Sequence, residues 1–306
     1  MTHNNWTSDK ILILNGLTII VTGGNSGIGN ELVRILSDKG ARVIMASRSL
    51  VKAEQAKNKI LKNNPEADVH IMELDLADLS SIKKFATQFQ KEYKRLDVLV
   101  NNAGIMNVPY TLTKDGFEMQ MGTNHFGSFA LTGLLMNVLE KSPGSRIVNT
   151  SSIAHKKAVI DFDNLLYSNG KDYNGMAAYR RSKLANLYFT FELQRYFQSK
   201  NINSIALAGH PGVTESNIAR HMLGPFIFKI LKPLIQVVLQ KASVGALPTL
   251  RAAIDPDVKG GQYYGPDGKS EWRGYPVLVE PTDYAKNEEN ARKLWEMSEE
   301  LTGVRF

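Results

Sequence analysis

Short apolar, β-branched runs alternate with stretches of helical period from residue 17 onward, and this alternation limits the fold more than any other feature. Residues 17–21 form one such run and end at a glycine-rich turn. Beyond it Ile28, Leu32, Ile35 and Leu36 fall on one helical face, and Gly40 stops the pattern. Residues 41–46 and 69–74 are the next strand-like runs. Asp78 then suits the cap of a helix whose buried stripe is Leu79, Ile82, Phe85, Phe89 and Tyr93. Residues 96–100, 147–150 and 202–208 continue the series. Strands separated by helices imply a parallel sheet covered on both faces, an α/β fold of the Rossmann-type, doubly wound kind.

No repeat, low-complexity tract or Pro/Gly/Ser linker divides the 306 residues, so one domain is expected over 1–306. Residues 1–15 read as an N-terminal extension. The long irregular stretch 214–245 follows a strand end and reads as a substrate lid. Residues 225–239 within it serve equally as a lid, an interface between subunits or a membrane-surface helix. Lys229, Lys232 and Pro233 interrupt them, so they are not expected to cross a bilayer. The absence of cysteine excludes disulfides and thiolate chemistry. A net charge of +7 is spread along the chain without a basic block, which argues against a nucleic-acid partner. The polar start, MTHNNWTSDK, lacks the order of a signal peptide, and a cytoplasmic protein is expected.

The first turn reads Thr22-Gly23-Gly24-Asn25-Ser26-Gly27-Ile28-Gly29. Glycines let backbone N–H groups approach a phosphate, and the helix that follows offers its positive end. Gly23, Asn25, Ser26, Gly27, Ile28 and Gly29 are therefore expected to bind a cofactor. After the second strand comes Arg48, where an acidic residue would suit a free ribose hydroxyl and an arginine suits a 2′-phosphate. That favours NADP(H) over NAD(H). Asp75, with Leu76 beside it, closes the third strand and serves either an adenine or a turn. Asn102, Ala103 and Gly104 end the fourth strand with small residues that let the backbone pass close to a flat ligand. Tyr179 and Lys183, four apart, share a helix face. A free tyrosine has a pKa near 10, and a neighbouring ammonium favours the phenolate needed of a general acid/base.

Taken in order, this turn, Asn101-Asn102-Ala103-Gly104, Asn124, Ser151-Ser152, Tyr179/Lys183 and Pro211-Gly212 resemble the short-chain dehydrogenase/reductase family along essentially the whole chain. The stretches Asp115-Gly116-Phe117-Glu118, Asn124-His125-Phe126-Gly127, Arg146-Ile147-Val148-Asn149, Ser182-Lys183-Leu184-Ala185-Asn186 and Tyr263-Tyr264-Gly265-Pro266 resemble its retinol-dehydrogenase-like and protochlorophyllide-reductase-like branch. The resemblance implies hydride exchange between a nicotinamide and a carbonyl or alcohol, in a homodimer or homotetramer. It makes Tyr179 the proton donor or acceptor, and Lys183 the group that lowers its pKa and holds the nicotinamide ribose. Ser152 is the partner of the substrate oxygen, with Ser151 as its competitor, and Asn124 holds a water next to Lys183. Pro211, Gly212, Val213 and Thr214 join the cofactor site, Thr214 or Ser216 supplying a threonine-like hydroxyl. Ser26 stands where many NADP-dependent members carry a base, which leaves the 2′-phosphate mainly to Arg48. A non-catalytic redox sensor is the alternative reading. His125, His155 and His210 form no metal-ligand spacing, and no metal is expected. Met106, Val108, Tyr110, Leu165, Leu166, Met176, Ile218, Met222, Leu223, Phe226 and Phe228 would wall a pocket for a lipophilic substrate.

Overall fold

The computed structural model describes residues 5–214 and 240–306. The strand-like runs become β1 (Thr18–Thr22), β2 (Arg42–Ser47), β3 (Val69–Glu73), β4 (Val98–Asn101), β5 (Ser145–Thr150) and β6 (Ser204–Gly209). All five residues of β1 are buried, as a strand covered on both faces must be. Ile19 and Val21 enter one core, and Ile20 enters the other. The helices between strands are α1 (Gly27–Asp38), α2 (Leu50–Asn63), α3 (Leu79–Glu92), α4 (Met119–Met121), α5 (Gly127–Glu140) and α6 (Gly175–Lys200). Asp78 caps α3 as expected, its carboxylate accepting from Ser80 and Ser81 N–H.

The sheet order is β3-β2-β1-β4-β5-β6-β7-β8, parallel except for the last pair. β1 pairs with β2 on one side (Ile20 opposite Ile44) and β4 on the other (Ile20 opposite Leu99). The chain runs outward from β1 to β3, then crosses to β4 and proceeds the other way. That reversal leaves a crevice at the C-terminal ends of β1 and β4, where open α/β sheets bind ligands. Leu32, Leu36 and Ile60 pack on one face of the sheet; Phe85, Phe89, Phe129 and Leu193 pack on the other.

A polar pair is buried within the sheet between β4 and β5. Asn101 and Asn149 are directly opposed and fully buried, and Asn101 Nδ2 donates to Asn149 Oδ1 at 2.9 Å. The same Nδ2 reaches Thr132 Oγ1 of α5 at 3.1 Å, and Asn149 Nδ2 reaches Thr190 Oγ1 of α6 at 3.0 Å.

After β6 the chain makes α7 (Ala242–Gly245), α8 (Leu247–Ile254), β7 (Tyr263–Pro266), β8 (Pro276–Leu278) and α9 (Glu288–Thr302). The last two strands form an antiparallel pair that the sequence reading did not separate out. Their prolines suit the edge position β8 occupies. α9 lies along α6, with Trp295 and Phe306 4.5 Å apart between ring centres and Trp295 5.2 Å from Phe129.

Two expected boundaries need correction. Trp6, Ile11 and Leu14 are buried in the core, so residues 5–15 pack as part of the body rather than as an appendage. Of the stretch 214–245, residues 240–245 also belong to the body. Thr214 and Gln240 form a parallel bridge, and Gln240 Nε2 donates to the Pro211 carbonyl at 2.5 Å. α7 packs on α1. Residues 215–239, with Ser216, Ile218, Met222, Leu223, Phe226 and Phe228, lie outside the described residues. Among the described residues, no helix is long and apolar enough to cross a membrane.

Candidate active site

The turn after β1 is built on close approach. Gly23 and Gly27 have φ of +66° and +53°, the left-handed region that favours glycine. A Cβ on Gly29 would sit 2.3 Å from the Gly23 carbonyl oxygen, so the first turn of α1 packs directly on the loop that precedes it. Ser49, Asp78 and Asn174 cap α2, α3 and α6 through their side chains, whereas Ser26 at the start of α1 makes no such bond. The first-turn N–H groups of α1 therefore have no side-chain acceptor, at the positive end of the helix dipole. Thr22 ties this turn to β4. Its Oγ1 accepts from Asn102 and Ala103 N–H at 3.0 and 2.9 Å, and its carbonyl accepts from Asn102 Nδ2 at 2.9 Å.

A cleft of about 370 Å³ runs from this turn to α6. Gly23, Asn25, Ser26, Gly27, Ile28, Gly29, Arg48, Asp75, Leu76, Asn102, Ala103, Gly104, Tyr179, Lys183 and Pro211 all line it. Arg48 is exposed at one end, and Lys52, in the first turn of α2, stands there too. Lys52 was missed in the sequence; a second cation four residues after Arg48 was the available signal. Asp75 lines the cleft, and its Oδ1 accepts from Ala77 N–H at 3.0 Å in a turn.

The other end of the cleft holds the tyrosine and lysine. Asn174 starts α6 by accepting from Ala177 N–H at 2.9 Å, and Tyr179 and Lys183 follow on one face, both buried. Lys183 Nζ lies 5.8 Å from the centre of the Tyr179 ring and donates to the Thr150 carbonyl at 2.9 Å. Burial pushes the Lys183 ammonium down to about 8. Burial also pushes the Tyr179 phenol up, and a hydrogen bond with Ser152 opposes it. The expectation that Lys183 depresses the tyrosine is thus not met in the protein alone, because the desolvation of a buried phenolate dominates.

The two serines at the end of β5 part ways. Ser151 lines the cleft and donates to the Lys183 carbonyl at 2.8 Å, while Ser152, outside that lining, accepts from Ala154 N–H at 3.1 Å and is the one that hydrogen-bonds Tyr179. Asn124 sits in a π turn (Gly122–Phe126) between α4 and α5. Its Oδ1 accepts from Ile105 N–H at 2.8 Å, and its Nδ2 donates to the Ile105 carbonyl at 2.9 Å and to Ser182 Oγ at 2.8 Å. The side chain is thereby committed to the protein, at the wall where a Cβ on Gly104 would meet both Asn124 Oδ1 and Lys183 Nζ.

Gly212, Val213 and Thr214 do not line the cleft. Val213 is tied by backbone bonds to Trp272 and Gln240, and Thr214 is 7% exposed. Of the expected apolar wall, Met106, Val108, Tyr110 and Met176 are half-buried but do not line the cleft, whose apolar lining here is Ile105 and Met119. Leu165 belongs instead to the domain core, with Leu166 packed against it. Arg181 holds that stretch to α6 by donating to the Asn164 and Leu165 carbonyls at 2.6 and 3.0 Å. His125 is buried against Phe126 and Phe129 and bonds Ser298 at 2.8 Å, a packing role.

Fold and cleft define an oxidoreductase built on a dinucleotide-binding sheet, and the chain belongs to the short-chain dehydrogenase family, whose model matches residues 17–223. Within that family it is retinol-dehydrogenase-like. It is 40% identical to human (Homo sapiens) retinol dehydrogenase 14, over 95% of this chain and 88% of that one. It is 38% identical to human retinol dehydrogenase 12, over 96% and 88%. A crystal structure of an uncharacterized protein from Mycobacterium Paratuberculosis is 39% identical and superposes with a TM-score of 0.82, covering 99% of both chains. The RhlG/NADP active-site complex of Pseudomonas aeruginosa shares the fold at 22% identity, with a TM-score of 0.64 over 82% and 94% of the two chains.

Proposed function

We propose that this chain is an NADP(H)-dependent oxidoreductase that interconverts an apolar carbonyl compound and its alcohol. The observation that carries the reading is one continuous cleft with two basic side chains at one end and a buried Tyr179/Lys183 pair at the other. Residues of this chain suit the cofactor. The loop of Gly23–Gly29 and the N-terminus of α1 would hold its diphosphate, Arg48 and Lys52 its 2′-phosphate, and Asn102–Gly104 its nicotinamide half. When bound, the nicotinamide supplies or takes the hydride.

The chain's own groups do the rest. Ser152 would donate a hydrogen bond to the substrate oxygen and stabilise the charge that develops there. Tyr179 would give its hydroxyl proton to that oxygen in reduction and take it back in oxidation. Its upward-pushed pKa keeps it protonated, as reduction requires. Lys183, charged below about pH 8, would stabilise the phenolate left behind and hold the nicotinamide ribose. Since the Asn124 side chain is spent on Ile105 and Ser182, any water it holds beside Lys183 would rest on its backbone. Ser152, Tyr179, Lys183 and Asn124 stand together, and a non-catalytic sensor would need none of them. Ile105 and Met119 would remove apolar substrate surface from water at about 25 cal/mol per Å² and so favour a bulky lipophilic carbonyl. The alcohol in the relatives' names makes retinaldehyde the first substrate to assay.

Binding of NADPH and NADH by fluorescence tests the cofactor assignment. Arg48→Asp should weaken NADPH by about 10- to 100-fold, the worth of a charged hydrogen bond or two, and Lys52→Ala by about tenfold. NADH binding should barely change. Equal losses for both cofactors would remove Arg48 and Lys52 from the 2′-phosphate. The reading also includes a homodimer or homotetramer, as the family resemblance implies, in the cytoplasm; light scattering and cell fractionation check the two.

A further inference from the structure

Behind Ser152 lies a carboxylate that neither the fold nor the chemistry above uses. Glu271 sits in the loop joining β7 to β8. Its Oε2 accepts from His210 Nε2 at 3.0 Å, and its Oε1 accepts from Lys156 Nζ at 2.5 Å. His210 follows β6 directly and is completely buried. Its other nitrogen, Nδ1, accepts from the Gly212 N–H at 3.2 Å. An amide N–H can only donate, so Nδ1 is bare and the ring proton is on Nε2, pointing at Glu271. The Gly212 N–H and one carboxylate oxygen thus favour the same tautomer, through which His210 holds residue 212.

The second oxygen reaches the catalytic serine by another path. Lys156 belongs to the 3-10 turn Ile153–Lys157, which begins at Ser152. In the same turn His155 Nδ1 donates to the Ser152 carbonyl at 2.7 Å. The backbone is shaped to deliver Glu271 to this place. Ser270 and Glu271 are consecutive left-handed residues, φ 55° and 58°, and neither is glycine. Opposite them, a Cβ on Gly265 would lie 2.1 Å from His210 Nε2, and one on Gly212 would lie 2.4 Å from the Trp272 carbonyl oxygen. Unfavourable dihedrals held in place from two sides are the pattern of a functional constraint.

We propose that Glu271 is a positioning residue for the reaction, setting the Ser152 turn and residues 211–214 relative to each other by holding Lys156 with one oxygen and His210 with the other. The proposal rests on the reductase reading above. Its bonds to His210 and Lys156 keep the Glu271 carboxyl down at about 2, so it is an anion throughout the working range.

The two arms separate by mutation in the full chain. Lys156→Met cuts only the serine arm. It should lower kcat for retinaldehyde reduction by about tenfold, as a slight misplacement of a positioned group does, with NADPH affinity within about twofold. Glu271→Gln keeps an acceptor for His210 and should match Lys156→Met, and the two changes combined should add little. Glu271→Ala cuts both arms and should also weaken NADPH by about tenfold. Nitrogen-15 histidine spectra add a readout independent of turnover: His210 should be the neutral Nε2–H form in the wild type, and that preference should weaken in Glu271→Ala, where only the Gly212 N–H still favours it. If Glu271→Ala does not fold, Lys156→Met and Glu271→Gln carry the test. Variants that lower Tm while kcat, NADPH affinity and the tautomer stay unchanged would overturn the proposal, leaving Glu271 a stability element. Wild-type protein that neither binds NADPH nor reduces retinaldehyde would instead count against the cofactor and substrate reading, with the tautomer still measurable.

Discussion

Tyr179 and Lys183 share one face of α6, and burial moves them in opposite senses because it disfavours whichever form carries charge. The lysine has the consequence easiest to measure. Its ammonium loses its proton near 8 in the free protein instead of about 10.4. Since the protonated form is the useful one, kcat/KM for NADPH should be level below about pH 8 and fall above it; a flat profile to pH 9.5 would remove Lys183 from that role. Tyr179→Phe should cost turnover at least about 10²-fold, the low end for a general acid, with NADPH affinity within a few fold. Stopped assays against fluorescence titration separate the two effects, and a variant with most of its activity would end the proposed chemistry. Lys183→Ala should harm both quantities. The tyrosine–lysine pair was legible because a spacing of four places two side chains on one helical face whatever surrounds them. Lys52 was not, because its part in the cleft depends on where Ser49 starts α2. Nor could the sequence say that Asn124 spends its amide on Ile105, since that needs β4 and the π turn to meet.

Among the elements, α6 does most to place the site, and its beginning is fixed by Asn174, five residues before Tyr179. Asn174→Ala should lower the stability by about 1 kcal/mol, the usual worth of such a cap, visible as a lower urea midpoint at unchanged slope. An unchanged midpoint would mean that packing alone holds the start of α6. At the other end of the cleft, Gly29→Ala forces a methyl to within 2.3 Å of the Gly23 carbonyl. The loop must move, and NADPH binding should fall by more than about tenfold while far-ultraviolet circular dichroism keeps its shape; retained affinity would separate the turn from the cofactor. Six strands and the helices α1 and α3 could be read from periodicity, to within a residue or two. The β7–β8 pair could not. Tyr263–Pro266 has no alternation, all four of its residues being buried, and β8 is three residues long. The π turn at Gly122–Phe126 was equally hidden, for one extra residue in a helix leaves the apolar spacing almost unchanged.

Across the whole molecule, the reversal of strand order at β1 and β4 decides where the cleft opens, and the sequence could only imply it through the glycine turn and the small residues at 102–104. The same two-sided burial that makes these strands easy to recognise creates a difficulty in assembly. Strands such as β1, buried at every step, offer a neighbour nearly equal contact at several offsets. The Asn101–Asn149 pair removes that ambiguity. Sliding β4 past β5 by one residue would turn Asn101 to the other side of the sheet and strand two amides among methyl groups. Each stranded amide costs about 1–3 kcal/mol, so Asn149→Leu alone should destabilise the protein by that amount in urea melts. Replacing both asparagines by leucine should recover much of the stability yet lower the yield of refolding from urea. A double variant that refolds as well as the wild type would show that the helices alone set the offset. The paired amides, buried between the strands near their C-terminal ends, thus act as an alignment mark, read once, while the strands are finding each other.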